Sequence, residues 1–268
     1  YTHPGNLIIL TGDSDNPNDA LYSASQSLSK TFYNRFLRRG LGDSDIFWHN
    51  YNTNVDIDND GKADGVIDDN TTSVSSFLSS ITSWATEQNH QTPLYIYMVD
   101  HGSNGAFKIS SQDYDGDAKS EILFASQLKN AVESFIKDTN RDVVIMIEAC
   151  KSGSFIPFFE SSAYKNKIML ITSSEAGKLS YIDSFGNISF TKFVADEILS
   201  GKSMQSAYDS AKVKLAAQGG VYSSQTPVVF SGSSDVSGLS VGGSFATASI
   251  NLTAIDTVKI NDISDVNP

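Results

Sequence analysis

Six short apolar segments, separated by longer amphipathic ones, constrain the fold of this chain more than any other feature. Segments that are apolar along their whole length predict strands buried on both faces, and the residues between them show helical spacing of apolar side chains. This alternation predicts an α/β fold with a mostly parallel sheet covered by helices. The predicted strands are residues 6–10, 45–49, 94–99, 143–147, 167–172 and 227–230, and the predicted helices are 21–39, 72–87, 121–137, 189–199 and 203–216.

The composition permits one sizeable core and argues against two classes of partner. The chain has 268 residues, 40% of them hydrophobic, and its net charge of −12 disfavours nucleic acid, because phosphate binding requires a basic surface. No run of about 18 apolar residues is present, so we expect no membrane-spanning helix. The chain begins at Tyr1 without a recognisable signal peptide, and we expect a mature form or a piece of a longer protein.

A change of composition near residue 232 predicts the domain organisation. Residues 231–244 are rich in glycine and serine, as in a linker. Residues 248–260 alternate polar and apolar side chains, as an edge strand or a separate β domain would. We therefore predict one globular domain over residues 1–232, followed by a linker and a β-rich extension over residues 233–268.

Chemically reactive residues follow two of the predicted strands. The strand 94–99 runs into His101 and Gly102, and the strand 143–147 leads to Cys150, the sole cysteine of the chain. In open α/β sheets, functional residues collect at the carboxyl ends of the strands. If these two strands are neighbours, the imidazole and the thiol emerge at the same edge. The alternatives are a structural histidine and a buried cysteine, since free cysteine is among the most buried residue types.

A thiol beside an imidazole suits nucleophilic catalysis. The thiolate is the reactive form of cysteine, and a nearby imidazole can act as a base and later protonate a leaving amine. Backbone N–H groups must also face the developing oxyanion, and those of Gly102 and Cys150 are the candidates.

Two segments resemble the catalytic motifs of a known peptidase family. Residues 95–104 (YIYMVDHGSN) and 144–154 (VIMIEACKSGS) are similar to the His-Gly and Ala-Cys motifs of the legumain family, peptidase family C13 of clan CD, which also holds the caspases. The resemblance implies a caspase-like three-layer sandwich of about six strands with helices on both faces, as the peptidase domain over residues 1–232. It also implies a cysteine endopeptidase that uses no organic cofactor and acts on a protein or peptide, with Cys150 as the nucleophile and His101 as the acid and base.

The resemblance implies roles for residues around this pair. In legumain-like enzymes an asparagine after the first strand orients the histidine, and Asn18 is the nearest match here; the alternative is an ordinary turn residue. Ser173 and Ser174, which follow the strand 167–172, are expected to line the S1 pocket. Glu148 is expected to be a hydrogen-bonded carboxylate beneath the site.

The residue after the cysteine departs from the legumain pattern. Legumains carry an acidic residue there and an arginine near the first helix, whereas Lys151 follows Cys150 in this chain and residues 13–30 contain no arginine. The asparagine preference of legumains is therefore not carried over. Lys151 is a candidate for binding an acidic P1 residue, but pairing with a carboxylate such as Asp183 and exposure to solvent are the favoured alternatives.

An aspartate-rich loop predicts a calcium site. Residues 56–64 read D-x-D-x-D-G-x-x-D, like the calcium loops of dockerins and thrombospondin type 3 repeats. Ile67 stands where such a loop has its bidentate glutamate, so that ligand would have to come from a shifted register. The alternative is a solvated acidic loop. The predicted ligands are Asp56, Asp58, Asp60, the carbonyl group of Lys62, Asp64, and Asp68 or Asp69.

A shorter acidic loop follows the histidine motif and predicts a second, weaker calcium site. Because loops of this kind suit millimolar calcium, which is an extracellular condition, we predict a secreted or cell-surface bacterial protein, and we expect a monomer. The candidate ligands of the second site are Asp113, Asp115, Asp117 and Glu121.

Two other functions remain open. Transpeptidases and transamidases use the same pair of residues and differ in whether water or an amine resolves the acyl-enzyme. The second alternative is a catalytically silent, calcium-dependent interaction module. Both reactive residues and their glycines are intact, which argues against it.

Overall fold

A mostly parallel sheet forms the centre of the chain. The computed structural model describes residues 3–88 and 90–243. Its strands are β1 (Asn6–Thr11), β2 (Ile46–His49), β3 (Leu94–Val99), β4 (Gly102–Ser103), β5 (Ala106–Ser110), β6 (Glu121–Phe124), β7 (Val143–Glu148), β8 (Ile168–Thr172) and β9 (Val228–Ser231). The six strands β2-β1-β3-β7-β8-β9 lie in that order, and each neighbouring pair is parallel except β8 with β9. The predicted sheet is confirmed.

Helices cover this sheet on both sides. They are α1 (Tyr22–Arg38), α2 (Val74–Ser79), α3 (Ala85–Glu87), α4 (Ala125–Thr139), α5 (Ile156–Glu160), α6 (Phe190–Leu199), α7 (Met204–Ala216), α8 (Gly220–Ser223) and α9 (Ser234–Ser237), with a π-helical turn at Ser80–Trp84 between α2 and α3. Hydroxyl groups of Ser189 and Ser203 accept the N–H groups of Lys192 and Ser206 and so begin α6 and α7 close to the predicted positions.

Alternate residues of the strands build two separate cores. Leu7 and Ile9 of β1 pack into the core that includes side chains of α1, α6 and α7. Ile8 and Leu10 pack into the opposite core, with side chains of α2, α4 and α5. Both faces of the sheet are thus apolar because each is covered by helices, and full burial of each such aliphatic side chain stabilises the fold by about 1.5–3 kcal/mol.

A small antiparallel sheet, β4-β5-β6, follows the histidine motif and was not predicted. The prediction of a helix beginning at residue 121 was wrong for its first turn, since Glu121–Phe124 forms β6 and α4 begins at Ala125. Glu121 and Leu123 are buried, whereas Ile122 is less so and Phe124 is exposed. This alternation, together with pairing to β5, outweighs the helical spacing of the residues that follow.

The predicted linker packs onto the domain as far as residue 243. Val236 of α9 and Val241 are buried in the core that contains α7. The guanidinium group of Arg39 donates a hydrogen bond to the carbonyl oxygen of Val241 at 2.8 Å. Residues 233–243 therefore belong to the packed body rather than to a linker, and the alternating segment 248–260 lies outside the described residues. Within the described ranges, no helix is long and apolar enough to cross a bilayer.

Candidate active site

The two reactive motifs emerge side by side from the sheet. Strands β3 and β7 are parallel neighbours in which Val99 lies opposite Glu148, so His101 and Cys150 each follow by two residues at the same edge. The side chain of His101 is 43% exposed, and Cys150 is partly exposed rather than sealed in the core. The expectation that these strands are neighbours is confirmed.

Gly102 allows the two strand ends to approach closely. A Cβ atom at this position would lie 2.5 Å from the carbonyl oxygen of Cys150 and 2.9 Å from the Cβ atom of Ala149. Any side chain would force the two motifs apart, so glycine is required by the packing of the backbone. The N–H groups of Gly102 and Cys150, which the sequence predicts as oxyanion donors, therefore belong to segments that contact each other.

His101 is oriented by Asp19 and not by the predicted Asn18. Both carboxylate oxygens of Asp19 lie 3.1 Å from Nε2 of His101. The backbone N–H of Leu21 donates to Asp19 at 2.8 Å and fixes this carboxylate in turn. Burial acts to raise the pKa of Asp19, but the bonds from Leu21 and His101 outweigh it and lower the pKa below its ordinary value. Asn18 is exposed, so the prediction placed the orienting residue in the correct loop but at the wrong position.

A buried carboxylate supports the segment that faces the thiol. The sulfur of Cys150 lies 3.7 Å from the carbonyl oxygen of Ser180. The hydroxyl group of Ser180 donates to Oε1 of Glu148 at 2.6 Å, while Oε2 accepts the N–H and O–H of Thr191, both at 2.7 Å. Burial raises the pKa of Glu148, although these hydrogen bonds favour its charged form. Glu148 thus has the structural position beneath the site that the resemblance implies.

Ser173 and Ser174 brace the cysteine turn and do not line a pocket. Both are fully buried, and their hydroxyl groups donate to the carbonyl oxygen of Ala149 at 3.3 and 3.1 Å. The prediction of these residues in S1 is therefore wrong, because neither side chain reaches solvent. Lys151, whose φ is +59°, and Gly153 complete the turn through bonds from their N–H groups to the carbonyl oxygens of Lys178 and Ser174.

The loop before α6 borders the site and contains both polar and apolar side chains. Asp183 is partly exposed and accepts the N–H of Ile188 at 2.8 Å, and no ion pair joins it to Lys151 among the described residues. Leu179 and Phe185 are exposed on either side of Ser180, with 69% of Phe185 accessible. Sequence reasoning missed these apolar side chains as potential substrate contacts.

Gln225 holds two parts of the loop between β8 and α6 together and was also missed. Its Oε1 accepts the N–H of Tyr181 at 2.9 Å. Its Nε2 donates to the carbonyl oxygen of Ser173 at 2.7 Å and to the hydroxyl group of Ser180 at 3.1 Å. Nothing in the local sequence distinguishes this glutamine from a surface residue, so only the fold reveals its position.

The first acidic loop curls around Asp56. The carboxylate of Asp56 accepts the N–H groups of Asn59 at 2.6 Å and of Gly61 at 2.8 Å. Oxygen atoms of Asp56, Asp58 and Asp64 come within 4.8 Å of one another. Three of the predicted ligands are thus brought together in an arrangement that could hold a cation.

The other predicted ligands of this loop have different partners. Asp60 accepts the N–H of Lys62 at 2.9 Å. Asp68 accepts the N–H of Trp48 at 2.8 Å, and Asp69 lies 3.0 Å from Nδ1 of the buried His49. Asp68 and Asp69 are therefore engaged in holding strand β2, a structural use that the shifted-register prediction did not foresee.

The second acidic loop has a similar local geometry. Asp113 accepts the N–H groups of Gly116 at 2.7 Å and Ala118 at 2.8 Å, and it groups with Asp115 and the buried Glu121 within 4.8 Å. Asp117 is outside this group and pairs with Lys119 at 3.0 Å, while Glu121 also accepts the N–H of Val74 at 2.7 Å. Glu121 therefore connects the loop to α2.

Comparison with known proteins identifies the fold and the family of the chain. The fold is that of the caspase-like α/β peptidases: the crystal structure of caspase-1 from Spodoptera frugiperda superposes with a TM-score of 0.61 at 13% sequence identity, covering 92% of each chain. The family model for the Peptidase C13 family matches residues 66–219, more than half of the sequence, and the chain belongs to this family. No curated protein sequence matches the chain. The family supports a cysteine peptidase-type function acting on protein substrates.

Proposed function

We propose that this protein is a cysteine endopeptidase with Cys150 as its nucleophile and His101 as its acid and base. The observation that carries the proposal is the contact between the two motifs at the carboxyl edge of β3 and β7, where Gly102 fits against the carbonyl group of Cys150. Both side chains reach solvent there, so a peptide has access to them.

The reaction follows from the positions of these groups. The thiolate of Cys150 attacks the scissile carbonyl carbon, and the amides of Gly102 and Cys150 bind the resulting oxyanion. The C–N bond then breaks as His101 donates a proton to the leaving amine. Water, deprotonated by the same imidazole, attacks the thioester and releases the acid product. Because the N–H group at Nε2 of His101 donates a hydrogen bond to Asp19, Nδ1 is the ring atom that makes these proton transfers.

The substrate-binding surface is proposed to run along residues 178–186. Leu179 and Phe185 offer exposed apolar area. Charges of opposite sign come from Lys151, directly after Cys150, and from Asp183, three residues after Ser180. Lys151 and Asp183 are therefore candidates for the S1 pocket.

The test is a library of fluorogenic peptides with varied P1 residues, assayed with the native protein and with Cys150→Ala and His101→Ala. We expect turnover in the native protein and none in either variant. Ser161→Ala, a change at an exposed serine outside both sequence motifs, is the matched control and should retain activity. Native protein that folds but hydrolyses no peptide would favour the catalytically silent module.

The same assay with an added amine nucleophile separates hydrolysis from transfer. Both begin with the acyl-enzyme, and they differ in the group that resolves it. Mass spectrometry that finds only the free acid supports the peptidase, whereas an amide product that forms in preference to the acid supports the transpeptidase or transamidase.

We further propose that calcium stabilises the fold through the two acidic loops. The fit rests on backbone N–H groups that hold Asp56 and Asp113 in place, with the group Asp56, Asp58 and Asp64 supplying the hard oxygen ligands that calcium prefers. Asp60 and the carbonyl group of Lys62 complete the proposed set in the first loop. Secretion or surface display of a monomer goes with this proposal, because such loops suit extracellular calcium.

Thermal unfolding in millimolar calcium and in chelator tests this second proposal. We expect a higher unfolding temperature with calcium, and Asp58→Asn should reduce the increase, whereas Asp209→Asn, at an exposed position on α7, should not. An unfolding temperature that is the same in calcium and in chelator would contradict the proposal.

A further inference from the structure

A group of ligand-type side chains that includes His101 lies outside both acidic loops. One atom each from Asp13, Asp19, Asp100 and His101 lies within 4.8 Å of the others. Asp13 follows β1, Asp19 precedes α1, and Asp100 and His101 follow β3. Different parts of the fold therefore converge on one point, which is how protein metal sites are built.

The charge of this group is only partly balanced. Asp13 and Asp100 are each only 1% exposed, and the ammonium group of Lys108 lies 2.8 Å from Oδ2 of Asp13. Three carboxylates with one ammonium leave two negative charges when all are ionised, and buried charge without compensation is strongly unfavourable. A cation bound among these carboxylates would relieve the excess.

Asp13 supplies the second observation that points to a ligand. Its Oδ1 atom is fully buried and makes no hydrogen bond to any described residue. Its backbone is in the left-handed region, with φ of +45°, which a non-glycine residue rarely adopts. A buried carboxylate oxygen without a partner is costly unless something positive binds to it.

We propose that Asp13, Asp19, Asp100 and His101 bind a divalent transition-metal cation of the Zn²⁺ type, and that this cation inhibits the peptidase. A dication balances the two excess charges of the group. An imidazole nitrogen among carboxylates suits Zn²⁺, whereas Ca²⁺ requires six or more oxygen ligands. The inhibitory effect rests on the proposed function, because the cation would hold His101 and Asp19, the pair that proton transfer uses.

Calorimetry on Cys150→Ala tests the site without reference to catalysis. This background removes the thiol as a ligand, and millimolar calcium occupies the acidic loops. We expect Zn²⁺ to bind, and Asp13→Asn in the same background to weaken binding by about tenfold or more. Asp15→Asn is the matched control, because Asp15 has a buried oxygen without a partner in the same loop but is outside the group.

A variant with the opposite effect guards against misfolding. Lys108→Gln removes the ammonium group that competes with the cation for Asp13, so it should tighten Zn²⁺ binding, a gain that a damaged fold would not produce. Equal affinities in Asp13→Asn, Asp15→Asn and the parent would overturn the site.

Activity assays then test the inhibition. Zn²⁺ should inhibit the otherwise native enzyme, and Asp13→Asn should resist inhibition while keeping its activity in chelator. Zn²⁺ that binds through Asp13 without slowing turnover would overturn the inhibitory role. A protein without peptidase activity would leave the calorimetric result standing, so failure of the proposed function is distinguishable from failure of the site.

Discussion

At the scale of single residues, Asp19 connects the loop after β1 to the chemistry at the end of β3. It accepts a hydrogen bond from the imidazole of His101 and is itself held by the amide of Leu21, so one carboxylate controls both the tautomer and the direction of the ring. Its lowered pKa keeps it charged across the neutral range, where it can stabilise the imidazolium ion that the proposed mechanism forms.

Asp19→Asn should therefore impair the chemical step rather than substrate binding. An amide cannot stabilise the imidazolium ion, and it can present an N–H where the carboxylate accepted one. We expect kcat to fall by on the order of a hundredfold to ten-thousandfold with little change in KM. Steady-state kinetics checks this, with Asn18→Ala as the neighbouring control. An unchanged kcat in Asp19→Asn would remove Asp19 from its positioning role.

At the scale of secondary-structure elements, the close contact between the ends of β3 and β7 is a backbone property. The expected carbonyl clash at Gly102 leaves no space for a methyl group, although its backbone conformation is not left-handed. Gly102→Ala should consequently lower the free energy of unfolding by about 1–3 kcal/mol through overpacking and reduce kcat by separating the two motifs.

The control for that substitution is Gly42→Ala. The nearest atom to a Cβ there is the carboxylate Oδ2 of Asp45 at 3.5 Å, an ordinary contact, and its φ is −91°. Urea unfolding of the two variants should give a loss for Gly102→Ala alone. Equal stability would mean that the strand ends separate without strain.

Gln225 performs a related task at the other side of the site, where it links Ser173, at the start of the β8–α6 loop, to Ser180 and Tyr181 further along it. Gln225→Ala would leave the N–H of Tyr181 and the carbonyl group of Ser173 without their partner, at a cost of about 1–3 kcal/mol. Because the freed loop carries the proposed substrate contacts, we expect KM to rise more than kcat falls. A purely structural role would lower the unfolding temperature and leave KM unchanged.

The elements also show what the sequence can and cannot predict. Apolar runs and serine caps specify the strands of the large sheet and the starts of α6 and α7, because both signals are local. The β4-β5-β6 sheet depends on pairing between segments that are short and partly polar, which gives no clear strand pattern in the sequence. The helical spacing that begins after residue 124 therefore led to β6 being predicted as part of a helix. Asp19 and Gln225 act through contacts distant in sequence, which a motif does not contain.

At the scale of the whole molecule, some of the acidic residues fall into three separate groups within the part of the chain that the structure describes. Two are exposed loops, and the third lies beside His101. These groups contain only part of the 31 acidic residues that give the chain its formal charge of −12. By our two proposals, these groups link stability to calcium at the loops and activity to a transition metal at the buried group.

Acid should weaken the folded protein through histidines that the fold keeps neutral. Burial, followed by the nearby Arg141 and His3, lowers the pKa of His90 from 6.5 to about 4. Nδ1 of His90 lies 2.6 Å from the hydroxyl group of Thr92, and its Nε2 is buried without a partner among the described residues, so a proton on Nε2 would add an unsatisfied donor.

Because the folded pKa lies below the unfolded one, the unfolded chain binds the proton more readily than the folded chain. The contribution of His90 is thus complete above pH 6.5 and is lost as the pH falls from 6.5 towards about 4. The fully buried His49, whose pKa burial also lowers despite Asp69, acts in the same direction. We expect His90→Gln to reduce the fall in unfolding temperature over this interval without abolishing it, since His49 remains. Thermal scans at a series of pH values check the prediction, and parallel pH profiles for the variant and the native protein would show that His90 is solvated enough to titrate freely in the folded state.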